Sequence, residues 1–308
     1  MATPAWTRLI RFVAKEDAQT YYGEPQQDGD LGLLYSNGER ITARVVAAPW
    51  TSSPASTSSP RVLTVQTLLS PLAPTDVPAI RGMGLQYSAD PANPQDKPPV
   101  ACLFFKASQA LAGPGDDIVL PRLARDEKND YEVELCVVLG KDAKDVDEKD
   151  AMSFVGGYCV VNDVSSRGLC AKGGQWGMGK SYDTWCPFGP CLVSPSALGA
   201  DPHKLTITTH VNGKLAQKGN TADLVLKIPE LIARLSHGTT LQAGSLILTG
   251  SPIALGRKAP GDAVEQSPFM KDGDEIRCFV EGCGTLINSV RDEAARPLPP
   301  AAQRKAKL

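Results

Sequence analysis

The run Tyr131-Glu132-Val133-Glu134-Leu135-Cys136-Val137-Val138-Leu139 decides how this chain is read. It is an apolar strand interrupted by two carboxylates. Alternate side chains of a strand share a face about 6.5 to 7 Å apart, so Glu132 and Glu134 point into one place. Two like charges on a half-buried face repel each other and are costly to desolvate unless a cation or strong donors hold them. The natural expectation is a divalent metal, with salt bridges to Lys or Arg as the alternative.

Downstream lies Gly157-Tyr158-Cys159-Val160-Val161-Asn162-Asp163-Val164-Ser165, a second apolar strand that ends in a carboxylate. If Asp163 faces Glu132 and Glu134, three oxygen ligands converge, a set suited to Mg²⁺, Mn²⁺ or Ca²⁺. Lys180, flanked by glycines in Gly177-Met178-Gly179-Lys180-Ser181-Tyr182-Asp183, can reach an anionic ligand or pair with a metal-bound carboxylate. Gly244 to Pro252 reads as a strand ending in Thr249-Gly250-Ser251, where backbone donors can approach a substrate carboxylate.

Further strands are expected at Arg8 to Val13, Leu31 to Tyr35, Ile41 to Val46, Ala101 to Phe105, Ile118 to Leu120, Glu132 to Leu139, Val155 to Asn162, Leu205 to Val211, Leu246 to Thr249, Glu275 to Val280 and Thr285 to Val290. Asn37-Gly38 reads as a hairpin turn. The clearer helices are Glu148 to Phe154 and Ile228 to Ser236, the latter with Ile228, Leu231, Ile232 and Leu235 at helical spacing. Many strands and few helices, without regular βαβ alternation, give an α+β, mainly β fold of the mixed sandwich-roll kind. The organisation expected is a small β-rich N-terminal domain (1–75) with a Ser/Thr/Pro loop at 49–60, a larger domain (76–292) and a polar tail (293–308). The polar, proline-dense Gln86 to Pro99 segment reads as a flap or loop.

A net charge of -2 over 308 residues gives no general electrostatic reason to expect nucleic acid or an anionic membrane as partner. The apolar runs are too short to span a bilayer. Arg8, Arg11 and Lys15 precede the first acid, Glu16, as in a transit peptide, but the strand-like alternation there favours a cytoplasmic protein. Eight cysteines without a Cys-x-x-Cys pair fit reduced, buried thiols.

The order of motifs resembles the fumarylacetoacetate hydrolase family. The matching pieces are Phe104-Phe105-Lys106-Ala107-Ser108, Tyr131 to Leu135, Gly157 to Ser165, Gly179 to Asp183 with Pro187-Phe188-Gly189-Pro190, Asn212-Gly213, Thr249 to Pro252, Asp272-Gly273-Asp274 and Glu281-Gly282-Cys283-Gly284. The resemblance implies a homodimer that binds Mg²⁺ or Mn²⁺ through Glu132, Glu134 and Asp163. It further implies that Lys180 supports the metal site and that Tyr87, Arg167, Asp183, Thr249, Gly250 and Ser251 bind substrate. The reactions implied are C–C bond cleavage, by hydrolysis or decarboxylation, of a 1,3-dicarbonyl or 2-oxo acid through an enolate held by the metal.

The chain departs from that pattern at the flap. Where the family carries a histidine and, three residues on, a glutamate that activate water, this sequence has Asp90 and Asn93. Asn93 cannot take a proton, and Asp90 is a surrogate base only if burial raises its pKa, with an exposed loop aspartate as the alternative. Arg167 is followed by Gly168-Leu169-Cys170 in place of the usual Asp and Gln, so a different substrate is expected. Two alternatives follow, a non-hydrolytic isomerase, tautomerase or cyclase acting on a larger enolisable substrate, and a non-catalytic metal-binding protein.

Overall fold

The computed structural model describes residues 6–47, 49, 61–87, 97–125, 127–255 and 269–295. Asp90, all but Pro49 of the Ser/Thr/Pro loop, and most of the tail lie outside these residues. The architecture is two stacked sheets, mixed in strand direction. The larger, of eleven strands, runs in the order Thr20–Pro25, Thr42–Val46, Val62–Leu69, Arg8–Ala14, Cys186–Val193, Val155–Asn162, Val133–Leu139, Leu246–Leu248, Ile80–Met83 and Leu103–Lys106, with Leu111–Ala112 beside Cys186–Val193. The smaller, of five, runs Lys214–Asn220, Thr206–Val211, Glu275–Val280, Gly284–Asp292 and Ile118–Leu120.

The first four strands also pair around a ring, because Arg8–Ala14 contacts both Thr20–Pro25 and Val62–Leu69. Arg8–Ala14 then continues into the large sheet through Arg8 opposite Val193 and Leu9 opposite Leu192.

The two-residue period of the central strand sorts its side chains between two cores. Val133, Leu135, Val137 and Leu139 pack toward the smaller sheet with Ile207, Ile276, Cys278 and Leu286. Cys136 and Val138 face the other way, with Ile80, Val161, Phe188 and Leu248. Glu134 belongs by alternation to this second face, at its open end. All eight cysteines are free, and Cys136, Cys159, Cys186, Cys191, Cys278 and Cys283 are buried.

One expected strand is a helix, and the strands Thr20–Pro25, Val62–Leu69, Ile80–Met83, Cys186–Val193 and Lys214–Asn220 and the helix Arg167–Gly173 add to the expected elements. Leu31–Ser36 is an α-helix, not a strand: Asp30 caps it, its Oδ1 accepting from the amides of Gly32 (3.0 Å) and Leu33 (3.3 Å), and Asn37 ends it. The same carboxylate accepts from Thr285 N (3.1 Å) and Thr285 Oγ1 (2.6 Å), tying the helix to the Gly284–Asp292 strand. Asp30→Ala is therefore expected to lower unfolding free energy by about 2 kcal/mol, a lost cap plus lost charge-assisted bonds. Urea denaturation reads this, and turnover per folded molecule should not change. Among the added strands, Cys186–Val193 holds a central position despite Pro187 and Pro190.

Candidate active site

Four carboxylates and three cationic groups gather at the open end of the central strands. Glu132 lies one residue before the Val133–Leu139 strand, its amide donating to Asn162 Oδ1 (2.9 Å) and its carbonyl accepting from Asp163 N (2.8 Å). The second bond extends the ladder by one residue, and with the first, to the Asn162 side chain, it brings Asp163, at the end of Val155–Asn162, beside Glu132. Asp163 is completely buried and Glu134 only 2% exposed.

Lysines hold Asp163 from both sides. Lys106, at the end of the Leu103–Lys106 edge strand, donates to Asp163 Oδ1 (2.6 Å) and to the carbonyl of Val164 (3.0 Å). Lys180 donates to Asp163 Oδ2, to Glu132 Oε2 (3.0 Å) and to Ser165 Oγ (2.8 Å). Its ammonium also lies 4.0 Å from the centre of the Phe104 ring, a cation–π contact. Gly82 makes room for that ring, since an added Cβ would come within 2.0 Å of Phe104. Arg167 spans Asp130 Oδ2 (2.9 Å, from Nε) and Glu132 Oε1 (2.6 Å, from Nη2).

These pairings divide the carboxylates electrostatically. Burial alone would raise the Glu132 carboxyl, but Arg167 and Lys180, with the Ser165 hydroxyl, hold it well below the usual carboxylate range. Glu134 goes the opposite way. Burial, then the charges of Asp163 and Glu132, push its carboxyl well above that range, and Lys180 and the Gly250 amide offset this only in part. Burial opposes the charge on Lys180, yet Asp163 and Glu132 outweigh it, so its ammonium is held more firmly than an ordinary lysine's.

The Thr249–Pro252 loop closes the site. Gly250 N donates to Glu134 Oε2 at 2.5 Å, and Thr249 Oγ1 donates to the carbonyl of Leu135 at 2.9 Å. Gly250 has φ +101°, a region glycine enters freely, and a Cβ there would meet the Gln86 side chain at 2.4 Å. Tyr87 bridges to Leu224, and its buried hydroxyl has no hydrogen-bond partner among the described residues.

The structure thus gathers Glu132, Glu134, Asp163, Lys180 and Arg167 in one cluster, with Thr249, Gly250 and Ser251 beside it. Asp183 is exposed in the turn before Cys186–Val193. His203 bonds Asp201 and the Ile228 amide, His237 ends helix Ile228–Ser236, and His210 lies opposite Leu215 and Arg277, so none of them serves the site. Cys170 points at the Trp176 carbonyl (3.7 Å), and burial raises its thiol despite Lys180 and Arg167. Four participants carry no role in the expectations from sequence: Lys106 and Ser165, quoted only within motifs, Asp130, and the buried Gln217.

Among the described residues, no three Asp, Glu, His or Cys side chains are already arranged to enclose an ion. The donor chemistry nevertheless fits a hard divalent cation. Asp130, Glu132, Glu134 and Asp163 face Lys106, Lys180 and Arg167, and the excess falls on Glu134, whose one hydrogen-bond donor among the described residues is the Gly250 amide. A buried carboxylate left short of positive charge is a site that a cation stabilises.

Comparison with known proteins agrees with this cluster. The family described as Fumarylacetoacetate (FAA) hydrolase C-terminal matches residues 79–291. The chain belongs to the fumarylacetoacetate hydrolase family. It is 40% identical over 229 residues to the oxaloacetate tautomerase FAHD2A, mitochondrial, of Homo sapiens, covering 73% of this chain and 69% of that protein. In three dimensions it resembles a 5-carboxymethyl-2-hydroxymuconate delta-isomerase from Mycobacterium smegmatis (TM-score 0.73, 30% identity, 92% of this chain and 99% of that one). A maleylpyruvate hydrolase from Sphingobium sp. SYK-6 is similar at TM-score 0.67 and 26% identity, covering 92% of this chain and 99% of that one. The chain is therefore that of a fumarylacetoacetate hydrolase family enzyme.

Proposed function

We propose that this enzyme interconverts the keto and enol forms of a 2-oxo acid of the oxaloacetate type, with Mg²⁺ or Mn²⁺ as cofactor. The observation that carries this reading is the cation-hungry Glu134 beside the Lys180-bridged pair Glu132 and Asp163. The site provides for negative charge on oxygen but includes no histidine. Enolisation needs developing oxyanion charge to be stabilised and one proton moved between carbon and oxygen, a transfer that solvent water can carry, but it needs no activated water nucleophile, so it suits a chain without the family's water-activating histidine and glutamate. Similarity to an oxaloacetate tautomerase and to an isomerase supports it.

Glu132, Glu134 and Asp163 would hold the ion. The chemistry it supplies when bound is Lewis-acid polarisation of a carbonyl oxygen. Lys180 remains an ammonium at neutral pH, so it acts as a fixed positive charge and hydrogen-bond donor beside the substrate oxygen, not as a base. Arg167 fixes the Glu132 carboxylate and presents its exposed edge to a substrate carboxylate. Ser251 offers a hydroxyl from the Thr249–Pro252 loop, and the Tyr87 hydroxyl is a further donor.

Supplying oxaloacetate enriched in its enol to protein with Mg²⁺ should speed loss of enol absorbance without release of CO₂ or cleavage of a C–C bond. Stoichiometric CO₂, or pyruvate formed from an acylpyruvate, would favour decarboxylation or hydrolysis instead. With hydrolysis, loss of activity in Asp90→Asn would identify Asp90 as the surrogate base.

Further parts of the same reading are a second copy of the chain as partner, a cytoplasmic location, and the division into 1–75, 76–292 and 293–308. The large sheet ends in the edge strand Leu103–Lys106, whose Leu103 (37% exposed) and Phe105 (54%) face outward, which suits a protein partner. No helix among the described residues is long and apolar enough to cross a membrane.

A further inference from the structure

Gln217 is the one fully buried residue of the Lys214–Asn220 strand, 2% exposed, on the edge of the smaller sheet. Its Oε1 accepts from Val133 N (3.2 Å) and Thr209 Oγ1 (2.8 Å). Its Nε2 donates to Ser251 Oγ (2.8 Å) and to the Pro252 carbonyl (2.7 Å). A glutamine amide has two acceptor positions and two N–H donors, and all four are used here. The amide has only one workable orientation. Val133 N–H can only donate and Pro252 C=O can only accept, so a flipped amide would lose both bonds.

The contacts join three parts of the molecule. Val133 is the residue between Glu132 and Glu134, Thr209 belongs to the smaller sheet, and Ser251 and Pro252 belong to the loop over the site. That loop also runs against the Lys214–Asn220 strand, through the Gln217 to Ala254 bridge, the Leu255 N to Ala216 O bond (2.8 Å) and the close approach of Pro252 to Gly219. Gln217 alone on that strand reaches through to the carboxylate platform.

The Ser251 hydroxyl is left in a defined state. It receives an N–H from Gln217, and the partner for its own proton is the Pro252 carbonyl at 3.3 Å, long for an O–H···O bond. The other hydroxyl of the loop, Thr249 Oγ1, is spent on Leu135. Ser251 therefore holds a proton that a carboxylate oxygen would take more strongly than the carbonyl does.

We propose that Gln217 is a positioning residue that locks the Thr249–Pro252 loop in register with the two-glutamate strand and sets the Ser251 hydroxyl as a donor to a substrate carboxylate. The substrate-facing half of this inference rests on the 2-oxo acid reading above; the coupling half does not.

The test uses Gln217→Met, Ser251→Ala and the double variant. With oxaloacetate and saturating Mg²⁺, each single change should raise KM by roughly 10- to 100-fold, the range for a lost hydrogen bond to a charged group, with kcat changed less than about threefold. The double variant should be no worse than the worse single one, because both remove one interaction. Additive losses, or a fall in kcat with KM unchanged, would overturn the proposal.

Hydrogen–deuterium exchange of the cation-free proteins tests the coupling without turnover. Gln217→Met should raise exchange in 131–135 and 249–255 together. A rise confined to 214–220 would overturn the coupling. Wild-type protein that turns over no 2-oxo acid, with the paired rise in exchange still present, would refute the functional reading and leave the coupling standing. If Gln217→Met does not fold, Gln217→Asn, an amide one methylene too short to span both sides, takes its place with the same expected outcomes.

Discussion

Glu134→Gln is expected to abolish cation-dependent turnover while making the cation-free protein more stable at neutral pH. The loss should be roughly 10²- to 10³-fold, since Lewis-acid polarisation supplies several kcal/mol and each 1.36 kcal/mol is tenfold in rate. The gain in stability follows from linkage. The Glu134 carboxyl is raised in the folded protein by burial and by Asp163 and Glu132, so the fold holds a proton that the unfolded chain releases above its ordinary value near 4.5. Folding therefore loses stability as pH rises from that value to the raised one. The substituted amide, which keeps an acceptor for the Gly250 N–H and has no charge, escapes the loss. Thermal melts of wild type and variant without metal should coincide below the ordinary carboxyl range and diverge above it, the variant melting higher. Glu132 works in the opposite sense: Arg167 and Lys180 lower its carboxyl, so its contribution is present above the ordinary range and lost as pH falls through its lowered value.

Removing either lysine from Asp163 should destabilise the fold severely, and only one of the two losses should extinguish chemistry. Lys106 and Lys180 side chains are 0% and 5% exposed, and Asp163 is 0% exposed, so deleting either lysine breaks one of two buried ion pairs and leaves Asp163 under-compensated away from water. Breaking a buried pair in this way costs about 3–5 kcal/mol. Lys106→Met and Lys180→Met should each show a loss of that order by urea denaturation. Lys180 also bonds Glu132 and Ser165, whereas the second bond of Lys106 goes to the Val164 carbonyl. Turnover corrected for folded fraction should therefore fall by about 10²-fold or more in Lys180→Met, the loss of a charge-stabilising donor, and by less in Lys106→Met. Equal losses of turnover would show that Lys180 acts only by holding Asp163.

Much of the site was legible in the sequence because its main carboxylates sit in or beside apolar strands, where an acid needs a reason. The two-residue period placed Glu132 and Glu134 on one face and made Asp163 a conditional third, and the resemblance of motif order, not spacing, tied Asp163 and Lys180 to them. The residues that complete the electrostatics left no such trace. Lys106 meets Asp163 across 57 positions and Gln217 meets Val133 across 84, separations that no local pattern reports. Asp130, completely buried and paired with Arg167, looks in sequence like a turn acid.

The fold shows the same division. Glu275–Val280, Val155–Asn162 and helix Ile228–Ser236 follow their apolar periods to the residue. Leu31–Ser36 is too short for its period to tell helix from strand, and only the capping bonds of Asp30 distinguish them. Cys186–Val193 was hidden because proline usually argues against a central strand. There the ladder to Val155–Asn162 is irregular between Tyr158 and Val160, and Leu111–Ala112 pairs at the other end.

On the proposed function, enolisation depends on a cation held by Glu132, Glu134 and Asp163. The most direct measurement is the rate of enol-to-keto conversion of oxaloacetate by protein stripped with chelator, as Mg²⁺ or Mn²⁺ is titrated back, in wild type and Glu134→Gln. The rate should rise saturably with the ion in wild type and stay near the uncatalysed rate in the variant. Equal turnover in the stripped and reloaded wild type, matched by Glu134→Gln, would contradict it.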